Sequence, residues 1–288
     1  MKTRTELYAY KMPKRSRFLT FLLALTLTFL VGTWLVQHTI LDDVFVQHQL
    51  QDSKSYQDFT DQFNKTINAQ AEQSGIPSST LKDMVSETTV EQVLNTTMAN
   101  IYAKKENPID ATPILSEIDQ KVRAQTSSIA AASGVSTSAI SETVQAKFQT
   151  YIADQAQPYA NQMVSLMGTL ESVAHIVMIV SGILSLLLAA IIVYRSQGHV
   201  QGWRYLFWGI FWAGLFVAFP GILLRFSDLI VTIAQNANSY SSIILTLISS
   251  ILMVFVRVGA IVAVLGLLGV LICIVLPSFG KHKEKGRY

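Results

Sequence analysis

The chain has 288 residues, of which 50% are hydrophobic and only 14% are charged. Soluble proteins carry a charge on about 25% of their residues, so this composition excludes an ordinary soluble domain and indicates an integral membrane protein. The net charge of +3 averages two opposite populations, because residues 37–172 hold 16 Asp and Glu against 8 Lys and Arg while the remaining chain is basic.

Four segments are apolar over the roughly 20 residues that a helix needs to cross a bilayer. The first follows a basic stretch, is longer than the hydrophobic region of a signal peptide, and is followed by no small-residue cleavage site. It therefore predicts an uncleaved signal-anchor. The predicted spans are residues 18–36, 173–194, 205–224 and 258–276.

The longest hydrophobic stretch runs from Ile243 to Leu276 and contains one charge, Arg257. It is too long for one upright span, whereas the 19 residues that follow Arg257 suffice for one. We expect the span proper to begin after this arginine. Residues Ile243–Val256 would then form an apolar helix that lies outside the bilayer or at a steep tilt.

Basic residues set the predicted orientation, because cytoplasmic segments carry an excess of Lys and Arg. Six occur in residues 1–17, two in the 195–204 loop and four in residues 281–288. Both termini and this loop are therefore predicted to be cytoplasmic in a multi-pass protein of the cell (plasma) membrane. The predicted organisation is a basic N-terminus (1–17), span 1 (18–36), an extracytoplasmic domain (37–172), span 2 (173–194), a cytoplasmic loop (195–204), span 3 (205–224), an outer loop with the apolar helix (225–257), span 4 (258–276) and a basic tail (277–288).

The cysteine content bears on the source of the protein. The one cysteine, Cys273, lies in the fourth predicted span, so the predicted outer domain has none. Disulfides are common in extracytoplasmic domains of eukaryotic secretory proteins, and their absence favours a bacterial protein. Two glycosylation sequons, at Asn64 and Asn95, are compatible with the opposite interpretation, although such short patterns often arise by chance.

The outer domain shows helical periodicity, and no stretch alternates strictly enough to predict a strand. The apolar residues of its first helix are Tyr56, Phe59, Phe63 and Ile67. The predicted starts of the next three helices are Ser79 or Thr80, Thr112 and Ser138, the last continuing through Pro158 into the second span. The fold class is therefore an all-α membrane protein: four transmembrane helices with a helical-bundle extracytoplasmic domain inserted between spans 1 and 2.

Residues 129–144 contain the small residues and the glycine turn of a helix-turn-helix motif. The helix that would read DNA carries Lys147 as its one basic residue, within an acidic domain. Phosphate binding needs a footprint of Lys and Arg, so we expect no nucleic-acid partner.

Each predicted span carries small residues three or four apart, which let helix backbones approach closely. These residues are Ala24, Thr28 and Gly32; Ser181, Ser185 and Ala189; Gly209, Ala213, Gly214 and Ala218; and Gly259, Ala263 and Gly266. No span has an acidic residue at its centre, as a proton relay would. A compact four-helix bundle is expected.

Two arginines depart from the positive-inside trend. Arg225 and Arg257 are both predicted at the outer interface, and Asp228 lies three residues beyond Arg225 on the same helical face. Long side chains that snorkel towards water explain them most simply, with Asp228 as a counter-ion. Alternatively, the arginines dock the acidic outer domain, or they bind an anionic headgroup or envelope polymer.

A metal site is a further hypothesis. His38 and Asp42 are four residues apart just after the first span, and Glu171 and His175 are four apart at the start of the second. If both helices continue past the membrane surface and are neighbours, two imidazoles and two carboxylates could bind zinc or another divalent metal. Unpaired surface residues are the simpler interpretation, and no other cofactor is expected.

The chain contains no HExxH, GxSxG, P-loop or CxxC motif, and we expect no enzymatic activity. The expected function is that of an envelope protein in the lipid bilayer. Its outer domain would bind or sense an envelope component or partner protein, while its spans anchor or transmit. The alternative is a permease-like subunit of an ABC-type system. The order of one span, a large outer domain and three spans is similar to the cell-division and macrolide-exporter permease families, although those families have mixed α/β outer domains.

Overall fold

The computed structural model describes residues 14–52, 55–73, 83–133, 137–196, 199–227 and 241–282. Within these ranges the regular structure is entirely helical, which confirms the all-α prediction for the described part of the chain. The helices are α1 (Lys14–Gln37), α2 (Asp43–Asp52), α3 (Ser55–Gln73), α4 (Glu87–Tyr102), α5 (Thr112–Ser133), α6 (Thr137–Tyr151), a π-helical turn (Ile152–Ala156), α7 (Gln157–Arg195), α8 (His199–Phe226) and α9 (Ser241–His282).

Four helical segments are long and apolar enough to cross a membrane, in agreement with the four predicted spans. They are Ser16–Gln37, Ser141–Arg195, Val200–Leu224 and Leu245–Val275. The second is much longer than the roughly 20 residues that a bilayer requires. The segment Ser141–Arg195 therefore contains a helix of spanning length and a long helical extension before it.

The described residues divide into two compact units. The bundle unit comprises those within 1–37, 173–228 and 251–288, and the insert unit comprises those within 38–172 and 229–250. Helix α7 belongs to the insert unit before Val173 and to the bundle unit from Val173 onwards.

In the bundle unit, α1 packs against α7 through small polar and apolar side chains. The Ser185 hydroxyl donates a hydrogen bond of 3.0 Å to the Thr26 hydroxyl oxygen. Next to this pair, Leu23 forms a buried cluster with Leu188 and Ile192. Thr26 lies beside Ser185 and Leu23 lies beside Leu188, so α1 and α7 are antiparallel. In this register Gln37 is level with about Ala174.

Glycines bring α8 and α9 into backbone contact in the same unit. A Cβ atom added to Gly214 would lie 2.6 Å from the carbonyl oxygen of Gly259, and one added to Gly259 would lie 2.6 Å from the backbone nitrogen of Ala218. Close approach through small residues is the usual way for membrane helices to pack. Gly32 does not follow this pattern, because a Cβ there would meet nothing within 4 Å.

The insert unit has a hydrophobic core of its own. Helices α3, α4, α5 and α6 contribute to it, and Phe63 meets Phe148 edge to face with ring centroids 5.1 Å apart. Phe59 and Leu94 also pack against a second cluster at α2, so the two clusters are continuous. The buried members of the main cluster are Ile67, Met84, Val85, Val90, Val93, Ile114, Ile118, Val122, Val144 and Phe148.

The start of the second predicted outer helix differs from the prediction. Helix α4 begins at Glu87, where the side chain of the preceding Ser86 accepts a hydrogen bond from the Thr89 N–H. The predicted caps Ser79 and Thr80 lie outside the described residues. Serine and threonine are both favourable N-cap residues, so spacing alone could not select among these three positions. The predicted start at Thr112 is confirmed.

The continuation of the last outer helix into the second span is also observed. A π-helical turn joins α6 to α7, and its last hydrogen bond runs from the Gln157 N–H to the Ile152 carbonyl. Pro158 follows directly; it has no N–H to donate, and its ring crowds the carbonyl four residues back. The wider turn accommodates this proline without ending the helix.

Helix α9 runs without a break through Arg257. Ile243–Val256 and the predicted span 258–276 are thus parts of one helix, and where the bilayer boundary lies along that helix stays a prediction.

Candidate functional site

The structure does not support the geometry assumed for the metal site. Helix α1 ends at Gln37, so His38 and Asp42 do not share a helical face. The Asp42 carboxylate instead accepts hydrogen bonds from the N–H groups of Val44 at 3.1 Å and Phe45 at 3.2 Å. It therefore caps the start of α2, a helix that the sequence analysis did not predict.

The second pair does lie on one helix, since Glu171 and His175 are both in α7. However, the Glu171 carboxylate pairs with the Lys104 ammonium at 2.5 Å. Across the described residues, no three His, Cys, Asp or Glu side chains form a group that could hold a metal ion. The metal site stays a prediction that the described geometry does not favour.

The two arginines lie at different heights along the bundle. The contacts of Gly214 and Gly221 with α9 place Arg257 level with Pro220, five residues before Arg225. Five helical residues correspond to roughly 7.5 Å, so along the bundle Arg257 lies about that distance before Arg225. Its side chain is exposed on α9. The third predicted partner, Asp228, lies outside the described residues, and the docking role of these residues stays a prediction.

A polar cluster connects α4 and α5 in the insert unit. The Glu117 carboxylate accepts hydrogen bonds of 3.1 Å from the Ser86 N–H and 3.2 Å from the Ser86 hydroxyl, and it pairs with Lys121 at 3.0 Å. Burial by itself would raise the pKa of Glu117. The hydrogen bonds from Thr89 and Ser86 and the charge of Lys121 outweigh burial and hold the pKa below its usual value.

A second cluster connects α5 and α6. The buried Ser141 hydroxyl donates a hydrogen bond of 2.5 Å to the Asp119 carboxylate, which also pairs with Arg123 at 2.8 Å. The hydrogen bond from Ser141 is the main reason that the pKa of Asp119 lies below its usual value, and Arg123 adds to the effect.

Two tyrosines make structural hydrogen bonds. The Tyr102 hydroxyl donates to the Ile40 carbonyl at 2.7 Å, and the Tyr56 hydroxyl donates to the Asn95 side-chain oxygen at 2.7 Å. Burial, followed by the charges of Asp43 and Asp42, raises the pKa of Tyr102 to about 12. The hydrogen bonds of these clusters cap helices and connect them.

An apolar stripe on α7 is the largest feature of the insert unit that its own fold does not bury. We define the α7 stripe as Tyr159, Met163, Leu166 and Leu170, with exposed fractions of 70%, 52%, 52% and 43%. Only one other large apolar side chain among the described residues of this unit, Val44, is classed as exposed. The spacing of four, three and four residues keeps the stripe on one helical face.

The residues beside the α7 stripe are polar and exposed, including Gln162, Ser165, Thr169 and Ser172. From Val173 onwards, the corresponding exposed positions are Ile176, Ile179, Ile183 and Leu186. A helix surrounded by lipid is apolar on every exposed face, whereas one in water is polar except where it is covered. This is the change expected where a helix passes from water to lipid, so the pattern predicts that the α7 stripe lies on the water side.

The sequence analysis missed this stripe because it examined α7 for its span alone. The apolar residues of the stripe could have been found in the sequence, because they alternate at spacings of four and three residues. Compared with known proteins, the chain matches no family model, no curated protein and no solved structure.

Proposed function

We propose that the chain is a non-enzymatic integral membrane protein of the cell envelope. In this proposal the insert unit is an extracytoplasmic binding domain for an envelope component or partner protein, and the bundle unit anchors it and transmits its state. The observation that supports this proposal best is the construction of the insert unit, which has its own continuous core and is connected to the spans by the unbroken 39-residue helix α7.

The polar groups of the insert unit favour binding over catalysis. Glu117 and Asp119 have lowered pKa values because structural partners hold them ionised. A general acid or base that works near neutral pH needs the opposite shift. The described helices also differ from the mixed α/β outer domains of the permease families, and no observation favours that alternative.

Photo-crosslinking in living cells tests the proposal. The probe residue is placed at the exposed positions Val44 and Glu106 of the insert unit and, as matched controls, at the exposed positions Arg17 and Gln201 near the predicted cytoplasmic surface. We expect a discrete adduct with an envelope component from the first two positions. The core variant Ile118→Asp should abolish that adduct. Adducts confined to Arg17 and Gln201, with an ATPase attached, would instead support the permease alternative.

A further inference from the structure

We propose that the α7 stripe is a dimerisation surface that binds the α7 helix of a second copy of this chain as a parallel coiled coil. The proposal does not depend on the binding function of the insert unit. It rests on four observations: the heptad spacing, its length, the charge of its flanks and the area that it would bury.

The heptad spacing is regular and long. Spacings of three and four residues alternate from Tyr159 to Tyr194, and every one of the eleven positions is apolar. Apolar positions at this spacing are typical of coiled coils. The pattern is distinctive from Tyr159 to Leu170, where the neighbouring exposed residues are polar, and the predicted span continues it in the same register. The positions are Tyr159, Met163, Leu166, Leu170, Val173, Val177, Val180, Leu184, Leu187, Ile191 and Tyr194.

The packing of α7 against α1 involves a different face of α7. The α7 side chains that pack against α1, namely Ser185, Leu188 and Ile192, lie outside the heptad positions. The heptad face therefore does not serve intramolecular packing: ten of its eleven side chains are exposed, Val177 being intermediate. Lys104 also contacts another side of α7, at Gly168 and Glu171, and leaves the stripe open.

Charge and symmetry favour an identical partner. Two copies in one membrane share an orientation, so their α7 helices are parallel and pair with the same residues in register. Like charges beside such a seam would repel. The positions flanking the water-exposed seam are Ala160, Gln162, Met167, Thr169 and Ala174, and none is charged.

The total contact area is comparable with that of a standard interface, and seven of the eleven contributing positions lie within the predicted span. If each of the eleven positions contributes roughly 90 Å², pairing buries on the order of 1,000 Å² per copy, against about 800 Å² per partner in a standard interface. Between lipid-facing helices apolar burial gives little driving force. The α7 stripe, which is exposed to water, therefore supplies the main stabilisation.

Disulfide scanning of the full-length protein in membranes tests the proposal. In a Cys273→Ala background, single cysteines replace each residue from 157 to 172, and an oxidant is added. We expect covalent dimer to be maximal at Tyr159, Met163, Leu166 and Leu170, with a yield at least about fivefold above that at Asn161 and Gly168, which face away from a coiled-coil seam. Copies with two different tags should co-purify.

A charge variant provides the second measurement. Leu166→Glu should reduce the crosslinking yield of a Met163 cysteine about tenfold because two carboxylates would meet in the seam. The matched control Asn161→Glu should leave the yield unchanged, and the helical circular dichroism of both should equal the wild type. A flat scan, a maximum at Asn161, or a covalent adduct with a different protein at the stripe positions would overturn the proposal.

Discussion

Individual polar residues in the insert unit determine how its helices begin and how they are joined. Asp42 shows this clearly, because the position that looked like a metal ligand is the N-cap of α2. Ser86 and Glu117 play the same part for α4. An N-cap contributes typically about 1 kcal/mol, so the stability of the insert unit should respond to single changes at these residues.

Glu117→Gln should destabilise the protein by about 1 kcal/mol at pH 7, because hydrogen bonds to an ionised carboxylate are stronger than those to an amide. The pKa of Glu117 is lowered in the folded protein. Its stabilisation is therefore complete above the unfolded pKa of about 4.3 and is lost as the pH falls through the lower folded pKa. Thermal unfolding followed by circular dichroism at pH 7, 5 and 3 measures this loss.

The exposed residue Glu142 offers the control for that experiment. Glu142→Gln should leave the unfolding temperature unchanged at each pH. A destabilisation by Glu117→Gln that persists undiminished at pH 3 would contradict an electrostatic role.

Tyr102→Phe should cost about 1 kcal/mol, because the Ile40 carbonyl would lose its hydrogen-bond donor. The exposed Tyr159 gives a matched control, and Tyr159→Phe should have no effect on the stability of the monomer. Spectroscopic titration of the phenols in the wild type should show one tyrosine that ionises near pH 12. Equal unfolding temperatures for Tyr102→Phe and the wild type would refute this assignment.

At the scale of elements, the contact between α8 and α9 depends on glycines that have no room for a side chain. Gly214→Ala should destabilise the bundle unit by about 1–3 kcal/mol, since a Cβ atom would meet the backbone of α9 rather than a flexible side chain. Gly32→Ala is the matched control in α1, where a Cβ has open space. It should be neutral or slightly stabilising, because alanine favours the helix.

The unfolding temperatures of the two glycine variants, measured in detergent, test this prediction. Equal losses for Gly214→Ala and Gly32→Ala would mean that the close approach of α8 and α9 does not hold the bundle together.

For the whole molecule, we predict that both termini are cytoplasmic and that residues 37–172 are outside. Single cysteines at the exposed positions Val44 and Glu106, in a Cys273→Ala background, should react with a membrane-impermeant maleimide in intact cells. Cysteines at Arg17 and Gln201 should react only after the membrane is opened. Labelling of Arg17 in intact cells, without labelling of Val44, would reverse the orientation.

The sequence by itself determined the number of candidate spans and the all-helical class. Both follow from local patterns, namely runs of apolar residues and the 3.6-residue period, which need no knowledge of neighbours. The helix starting at Thr112 and the passage through Pro158 into α7 were predictable for the same reason. Composition and local spacing therefore predict single helices, one at a time.

Only the tertiary structure decided which side chains meet. Gly32 and Gly214 look alike in the sequence, yet one faces open space and the other faces the α9 backbone. Asp42 and Glu171 acquire their roles from the N–H groups of α2 and from Lys104, which lies 67 residues before Glu171 in the chain. A sequence pattern fixes the face of a helix on which a residue lies, but helix packing decides what that face meets.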